Sequence, residues 1–217
     1  MGLIGGLEVG PVPELLARIE VLLDRPGRVV IGIAGSPGAG KSTLTEELLV
    51  RLRARLGADA VGHLPMDGFH LADVQLDRLG TRDRKGAPDT FDVDGYVAAL
   101  ARLREEPDRT LYVPGFERDL EQPLAAAIAI EPSARLVLTE GNYLLLPDGG
   151  WERVRPLLDE AWFVDLDDVV RHERLVRRHQ QFGKSPDAAA EWVAHIDEAN
   201  AVLVQTTRDT ADVVVAL

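Results

Sequence analysis

Residues 35–42 read Gly-Ser-Pro-Gly-Ala-Gly-Lys-Ser and complete the pattern G-x-x-x-x-G-K-[ST], the Walker A loop. An apolar run, Val29 to Ala34, precedes the loop, and an amphipathic segment starts directly after it at Thr43. This order predicts a buried strand, a glycine-rich turn and a helix N-terminus, whose backbone N–H groups and partial positive charge together bind phosphate. A chain built around such a loop is expected to fold as a parallel α/β protein.

The phosphate chemistry of this motif gives Lys41 and Ser42 separate roles. Lys41 would place its charge on the β- and γ-phosphates of a nucleotide, and the Ser42 hydroxyl would bind a phosphate-bound Mg²⁺ ion. We therefore expect ATP and Mg²⁺ as cofactors. The predicted nucleotide-binding residues are Gly35, Ser36, Pro37, Gly38, Ala39, Gly40, Lys41, Ser42 and Thr43.

Apolar runs and helical periodicities alternate along the rest of the chain. Five runs predict strands at 28–34, 60–65, 134–139, 161–166 and 211–217, and a shorter one lies at 110–113. Helical spacing covers 11–24, 41–56, 93–104, 168–182 and 186–204, whereas 71–92 is polar and predicts a loop. Strands that are apolar on both faces indicate a parallel sheet covered on both sides. We predict a three-layer α/β P-loop NTPase fold with a five-stranded parallel core sheet, helices on both faces, and a small lid near 168–192, in a single domain spanning 1–217.

The composition of the chain argues against several classes of partner and of chemistry. The 217 residues carry a net charge of −12, which disfavours binding to nucleic acid. The absence of cysteine excludes disulfides and thiolate chemistry. Since no apolar run reaches the roughly 18 residues that a membrane span requires, we expect no membrane partner and a cytoplasmic protein. A homodimer is the default expectation for its assembly.

Two acidic residues stand where predicted core strands end. In open α/β sheets, ligands bind beyond the carboxyl ends of the strands, so these side chains are candidates for the site. Glu140 follows an apolar strand, as the acid of a Walker B motif does, and can bind Mg²⁺; the alternative is an ion pair with an arginine. Asp67 can accept a proton from a substrate hydroxyl, or it can simply form an Asx turn with Gly68.

Aromatic residues concentrate between positions 66 and 118, which suits a small-molecule pocket, although they can instead form the core there, in particular Tyr96 and Tyr112. The acidic residues Asp89, Asp92 and Asp94 in this region favour a neutral, polyhydroxylated acceptor over an anionic one. Farther along, Arg171, Arg174 and Arg178 share one face of a predicted helix. Such a face suits a lid that closes over transferring phosphoryl groups, and the alternative is a solvated basic surface.

Several tracts occur together in a familiar order. They are the Walker A loop, Met66-Asp67-Gly68-Phe69-His70-Leu71, the tract from Arg84 to Asp92, the tract from Glu140 to Leu145, and the arginine-rich helix. The chain resembles the superfamily of uridine kinases, phosphoribulokinases and bacterial type I pantothenate kinases. Within it, the sequence is most similar to a nucleoside/nucleotide kinase-like branch, some members of which are labelled fructose-transport kinases.

The resemblance implies roles for individual residues. Asp67 matches the catalytic base of the superfamily, Glu140 its Mg²⁺-associated acid, and Arg174 and Arg178 its lid arginines, which act in catalysis with Lys41. With Ser42, Glu140 forms the predicted metal site. The predicted substrate-binding residues are Asp67, Phe69, His70, Arg84, Lys85, Asp92, Tyr96, Phe116, Arg118 and Asn142.

These expectations lead to an ATP-dependent kinase that transfers the γ-phosphoryl group to a hydroxyl of a small molecule, for which a nucleoside or a similar metabolite is the first candidate. A sugar of the fructose type and a pantothenate-type acid are alternatives. An NTP-hydrolysing regulatory switch is an alternative of another class. Asp92-Val93-Asp94-Gly95 fits its D-x-x-G motif, but an Asn-Lys-x-Asp guanine-reading motif is absent from the sequence.

Overall fold

The computed structural model describes residues 12–217 in full, and residues 3–4 and 8–9 as backbone. In chain order, the strands are β1 (Leu3–Ile4), β2 (Glu8–Val9), β3 (Val29–Gly35), β4 (Val61–Pro65), β5 (Leu111–Glu117), β6 (Gln122–Ile130), β7 (Leu136–Glu140), β8 (Glu160–Asp165) and β9 (Val213–Ala216). The helices are α1 (Val12–Leu23), α2 (Lys41–Leu56), α3 (Asp73–Leu79), α4 (Val93–Glu105), α5 (Asp168–Gln181), α6 (Pro186–Trp192) and α7 (Glu198–Gln205). Position 11, where the sequence predicts the first helix to begin, lies outside the described residues.

A five-stranded parallel sheet forms the centre of the protein, with the order β4-β7-β3-β8-β9. The predicted core sheet is thus confirmed, because its strands are the five that the apolar runs indicate. The P-loop follows the central strand, β3, and the neighbouring strand β7 aligns Glu140 with Ile33. In this order, the ends of β4, β7 and β3 lie side by side at one edge.

Two apolar layers cover the sheet, one on each face. The side chains of β3 alternate between them, so that Ile31 and Ile33 pack with α1 and α2, while Val30 and Ala34 face the layer that contains α4. Every residue of β3 is buried, as expected for the central strand of a three-layer fold. No helix among the described residues has the length and apolarity needed to cross a membrane.

Three predicted elements differ from the structure. A second strand, β6, pairs antiparallel with β5 to form a hairpin, although the sequence predicts only a short strand at 110–113. Its residues 124–127, Leu-Ala-Ala-Ala, are exposed and lack the β-branched residues typical of strands, which occur in β6 only at Ile128 and Ile130. The segment 71–92, predicted to be a loop, contains α3, and the single helix predicted at 186–204 is divided into α6 and α7 by the π-helical turn Val193–Asp197.

Candidate active site

The loop between β3 and α2 has the backbone geometry of a phosphate-binding turn. Gly38 and Gly40 have φ angles of 80° and 97°, which glycine adopts far more readily than other residues. A Cβ atom on Gly38 would lie 2.7 Å from Leu175 Cγ, so the loop packs closely against α5. Because Gly40 is the N-cap and carries no side chain, the first N–H groups of α2 remain available to an anion.

Lys41 occupies a buried position at the start of α2. Its Nζ donates a hydrogen bond to the Ser36 carbonyl oxygen at 3.0 Å, which folds the side chain back over the loop. Burial lowers the pKa of Lys41 to about 8, although the Glu140 and Asp67 carboxylates act in the opposite direction. A phosphate group placed against this ammonium would stabilise its charged form.

The Ser42 hydroxyl donates a hydrogen bond to Glu140 Oε2 at 3.3 Å. Burial, followed by the charge of Asp67, raises the pKa of Glu140 to about 7, and Lys41 opposes this shift. Among the described residues, no three His, Asp or Glu side chains form a metal-binding cluster. Two oxygen donors fit Mg²⁺, which in nucleotide sites takes one or two protein ligands and completes its shell with phosphate and water. Ser42 and Glu140 therefore suit a nucleotide-bound metal ion.

Asp67 lies in the 3₁₀ turn Met66–Phe69 that follows β4. Two glycines allow this turn to approach its neighbours: a Cβ atom on Gly68 would lie 2.2 Å from the Pro114 carbonyl oxygen, and one on Gly141 would lie 2.4 Å from Met66 Cβ. The turn is thereby held between the β5–β6 hairpin and the end of β7. This packing directs Asp67 into the same cleft as Glu140.

The Asp67 carboxylate forms an ion pair with Arg118, whose Nη2 lies 2.7 Å from Oδ2. Burial favours a higher pKa for Asp67, but the protonated form of His70 and the charges of Arg118 and Lys41 outweigh it, and the pKa lies below its ordinary value. Burial also lowers the pKa of His70, so this ring is largely neutral at pH 7. At neutral pH, Arg118 and Lys41 are therefore the cations that keep Asp67 ionised.

An aromatic wall stands beside Asp67. The His70 ring packs between Phe91 and Phe116, with centroid distances of 4.0 and 4.8 Å. Its Nδ1 donates to the Asp67 carbonyl oxygen at 2.8 Å, since a carbonyl can only accept, and Nε2 of the neutral ring is then an acceptor. Lys85 and Arg118 both lie over the Phe116 ring. This wall offers apolar surface, an acceptor nitrogen and two cations to a ligand.

Helix α5 forms the opposite wall of the cleft. Arg174 lies against the P-loop, since a Cβ atom on Gly40 would be 3.3 Å from its Nη1. Burial and the charge of Arg118 lower the pKa of Arg178. Neither Arg174 nor Arg178 forms an ion pair within residues 12–217, whereas the buried Arg171 is bound to Asp168 and Glu198.

These walls enclose a cleft of about 1470 Å³. The predicted site residues that line it are Pro37, Gly38, Gly40, Lys41, Ser42, Thr43, Asp67, His70, Lys85, Phe116, Arg118, Glu140, Asn142, Arg174 and Arg178. The Walker A loop and the candidate base thus share one cavity with Arg174 and Arg178, the two arginines predicted for the lid.

A family model described as Phosphoribulokinase / Uridine kinase family matches residues 30–217. The chain belongs to this family. A candidate uridine kinase of Schizosaccharomyces pombe is 34% identical over 213 residues, which cover 95% of this chain and 91% of that protein. A pantothenate kinase of Limosilactobacillus reuteri is 31% identical over 166 residues, which cover 74% of this chain and 51% of that protein.

The crystal structure of a candidate fructose transport system kinase from Silicibacter sp. TM1040 superposes with a TM-score of 0.83 at 32% identity. The match covers 95% of this chain and 99% of that one. Membership of the phosphoribulokinase / uridine kinase family makes the protein a P-loop kinase, and its relatives are named for different acceptors.

Three other Walker A residues that were predicted to bind the nucleotide do not line the cleft. Ser36 and Ala39 are buried, and Gly35 packs against β8, where a Cβ atom would lie 2.6 Å from the Val164 carbonyl oxygen. These three residues anchor the loop to the core of the protein.

Four predicted substrate-binding residues are placed away from the cleft. Tyr96 is fully buried, with its hydroxyl bonded to Thr139, and Phe69 packs edge-on against the Tyr96 ring. Arg84 pairs with Asp89 at the surface. The Asp92 carboxylate accepts from Gly95 N at 2.9 Å and so caps α4. Core packing, a surface ion pair and a helix cap account for these side chains.

The acidic residues expected to favour a neutral acceptor do not face the cavity. Asp89 and Asp92 have the partners just described, and Asp94 pairs with Arg153 at the surface. The structure removes the basis for that expectation, because none of these carboxylates lines the cleft.

Sequence reasoning missed several residues that line the cleft. Asp73 begins α3 and binds Lys85 at 2.7 Å, and Lys184 lies 4.2 Å from the centroid of the Trp192 ring. The lysine of the first pair was predicted, but nothing local in a polar segment distinguishes Asp73 from its solvated neighbours. Its role in orienting Lys85 appears only when α3 is placed beside the hairpin.

Proposed function

We propose that this protein uses ATP to phosphorylate a hydroxyl group of a small molecule, with a nucleoside or similar metabolite as the first candidate. The observation that carries the proposal is the shared cleft in which Asp67 lies near Lys41 and Glu140, on the phosphate-binding side of the sheet. A carboxylate at this edge has the chemistry of a general base for an alcohol.

The proposed nucleotide site comprises the P-loop with Lys41, and the proposed Mg²⁺ ligands are Ser42 and Glu140. When bound, ATP with Mg²⁺ supplies the γ-phosphoryl group, which bonds to the acceptor oxygen as its bond to the ADP oxygen breaks. Lys41, Arg174 and Arg178 would neutralise negative charge.

Asp67 would take the proton that the acceptor hydroxyl loses. His70 and Phe116 would hold the acceptor by packing and by the free Nε2 of the imidazole, while Lys85, Arg118 and Asn142 contribute polar contacts. The segment 168–192, which contains α5 and α6, would act as the lid of a single domain. We further propose a cytoplasmic homodimer, which size-exclusion chromatography and localisation of a tagged chain would test.

The names of the relatives support more than one acceptor. They are those of a candidate uridine kinase, a candidate fructose transport system kinase and a pantothenate kinase, so each acceptor class belongs in the proposal. A regulatory switch is less well supported, because Asp92 of the D-x-x-G tract caps α4 and does not line the cleft.

A screen for ADP release tests the function. Purified protein is incubated with ATP and Mg²⁺ and with nucleosides, sugars or pantothenate, and product phosphorylation is confirmed by mass spectrometry. Acceptor-dependent ADP release with a phosphorylated product supports the kinase. Nucleotide hydrolysis that no acceptor stimulates, combined with a strong preference for guanine nucleotides, would instead identify a switch.

A further inference from the structure

Arg118 lies in the turn of the β5–β6 hairpin, and the candidate base is its one carboxylate partner among residues 12–217. Its Nη2 donates to Asp67 Oδ2 at 2.7 Å. Its guanidinium carbon lies 4.9 Å from the centroid of the Phe116 ring, and 38% of its side chain is exposed in the cleft. The Arg118 guanidinium, which pairs with the candidate base Asp67, is therefore accessible to a ligand.

The ion pair with Arg118 makes Asp67 a weaker base for the proposed reaction. A general base works best when its pKa is near the working pH, and an adjacent cation lowers the pKa of a carboxylate. The charged and titratable groups that face Asp67 are Lys41 from α2, His70 from its own turn, Arg118 from the hairpin, Glu140 and Tyr143 from β7 and the residues after it, and Arg178 from α5. Arg118 alone among them donates a side-chain hydrogen bond to Asp67.

The surroundings of Arg118 favour an additional anion. Arg178 approaches closely enough for the charge of Arg118 to lower its pKa, although the Asp67, Asp197 and Glu121 carboxylates act in the opposite direction. Within residues 12–217, Arg178 forms no ion pair with any of them. Lys85 lies over the same Phe116 ring, 5.7 Å from its centroid, but is already bound to Asp73. An oxyanion beside Arg118 would be attracted by two guanidinium groups, of which only Arg118 forms an ion pair with Asp67.

We propose that the acceptor carries a carboxylate or phosphate group that binds Arg118 and so releases the Asp67 carboxylate to accept the proton of the acceptor hydroxyl. The inference rests on the proposed kinase function and changes the order of its candidate acceptors. A nucleotide, a sugar phosphate or a carboxylic acid comes before an unmodified nucleoside or sugar, because the latter two carry no anionic group. Arg118 then recognises the anionic group of the acceptor. Until an anionic acceptor binds, the ion pair with Arg118 keeps the Asp67 carboxylate from acting as the base.

Matched compounds test the preference. The pairs are pantothenate and panthenol, uridine 5′-monophosphate and uridine, fructose 6-phosphate and fructose, and glycerate and glycerol, each compared by kcat/KM in the ADP-release assay. We expect the charged member of the accepted pair to be preferred at least about tenfold, the size of one charge-assisted hydrogen bond. Equal rates for both members, or a preference for the neutral one, would overturn the proposal.

Variants of Arg118 test its part in that preference. Arg118→Gln should abolish the ratio between charged and neutral members, and Arg118→Lys should restore part of it. Arg109→Gln, which changes an exposed arginine paired with Glu106, should leave the ratio unchanged. A raised KM for ATP in Arg118→Gln with an unchanged ratio would place Arg118 on the transferred phosphoryl group and contradict the inference.

A measurement without turnover separates this inference from the kinase proposal. The Asp67 carboxyl carbon is titrated by ¹³C NMR, with and without each compound at saturation. Arg118→Gln should raise the Asp67 pKa by about one unit or more, and in the wild type the charged compounds should produce a similar rise while the neutral ones do not. No rise with any charged compound would overturn the inference. A rise without phosphorylation would uphold recognition by Arg118 and refute the kinase.

Discussion

The Ser42 hydroxyl and the Glu140 carboxylate meet at 3.3 Å, which joins the loop after β3 to the end of β7. The two residues are 98 positions apart in sequence, and the parallel register that pairs Ile33 with Glu140 brings them together. Each offers a hard oxygen donor, the ligand type that Mg²⁺ prefers. The contact therefore defines the candidate metal site in this kinase.

Replacing Glu140 should weaken the binding of the catalytic Mg²⁺ ion. We expect Glu140→Gln to raise the Mg²⁺ concentration for half-maximal ADP release at least about tenfold, or 1.4 kcal/mol, because a charged ligand is lost. Ser42→Ala should act in the same direction. Since both residues would bind the same ion, the double variant should lose less free energy of Mg²⁺ binding than the two single variants lose together. Strictly additive effects in a Mg²⁺ titration would contradict a shared ion.

Replacing Asp67 tests the candidate base. Asp67→Asn keeps the shape of the side chain but cannot accept the proton, so kcat should fall by about 10²–10⁴-fold. The affinity for an ATP analogue, measured by calorimetry, should change little, because the P-loop is intact. Unchanged turnover in this variant would remove Asp67 from the role.

Two arginines one position apart on α5 provide a matched pair. Arg178 lines the cleft, whereas Arg177 is 76% exposed and lies 3.8 Å from Glu173. Arg178→Ala should lower kcat by about 10²–10³-fold if it stabilises charge in the transition state, and Arg177→Ala should have almost no effect. Steady-state kinetics would decide, and similar losses in both variants would indicate a general disturbance of the helix.

A methyl group at Gly68 should disturb the turn that carries Asp67. The new Cβ atom would lie 2.2 Å from the backbone oxygen of Pro114, so the hairpin must move. We expect Gly68→Ala to lower the free energy of unfolding by about 1–3 kcal/mol, as overpacking does. In Gly115→Ala the nearest atom is Ala127 Cβ at 3.2 Å, and the loss should be smaller. Urea unfolding would measure both, and equal stability of Gly68→Ala and the wild type would count against the close packing.

His63 on β4 should make the protein sensitive to acid. Burial lowers its pKa to about 4 from 6.5, and its Nε2 has no hydrogen-bond partner among the described residues. Between these values the unfolded chain binds a proton that the folded protein does not, so stability falls as the pH falls from 6.5 towards 4. By pH 5 this loss is about 2 kcal/mol.

The comparison of His63→Gln with the wild type isolates this effect. Urea unfolding at pH 8 and pH 5 gives the decrease in the free energy of unfolding for each protein. This decrease should be about 2 kcal/mol smaller in the variant. The difference between the two pH values is independent of any change that the substitution makes in basal stability. Identical losses would assign the acid sensitivity to other groups.

Much of the fold was predictable because its determinants are local. The five core strands are apolar runs, and the P-loop requires glycine at positions such as Gly38 and Gly40, where φ is positive. Strand β6 could not be predicted in this way. Its exposed residues 124–127, Leu-Ala-Ala-Ala, have little intrinsic preference for a strand, and pairing with β5 determines their conformation.

The residues of the candidate site also fall into two groups: some follow from local sequence, and others only from tertiary contacts. Sequence alone identified Lys41, Ser42 and the acids at two strand ends, because motif and strand boundary are visible in the chain. It left Tyr96 open between the core and the pocket and predicted it, like Phe116, to bind substrate, whereas Tyr96 is buried in the core and only Phe116 lines the cleft. Tertiary structure decided this, and it also paired Asp67 with Arg118. The physical reason is that strand order and the close approach allowed by Gly68 and Gly141 depend on contacts between distant segments, which no local pattern encodes.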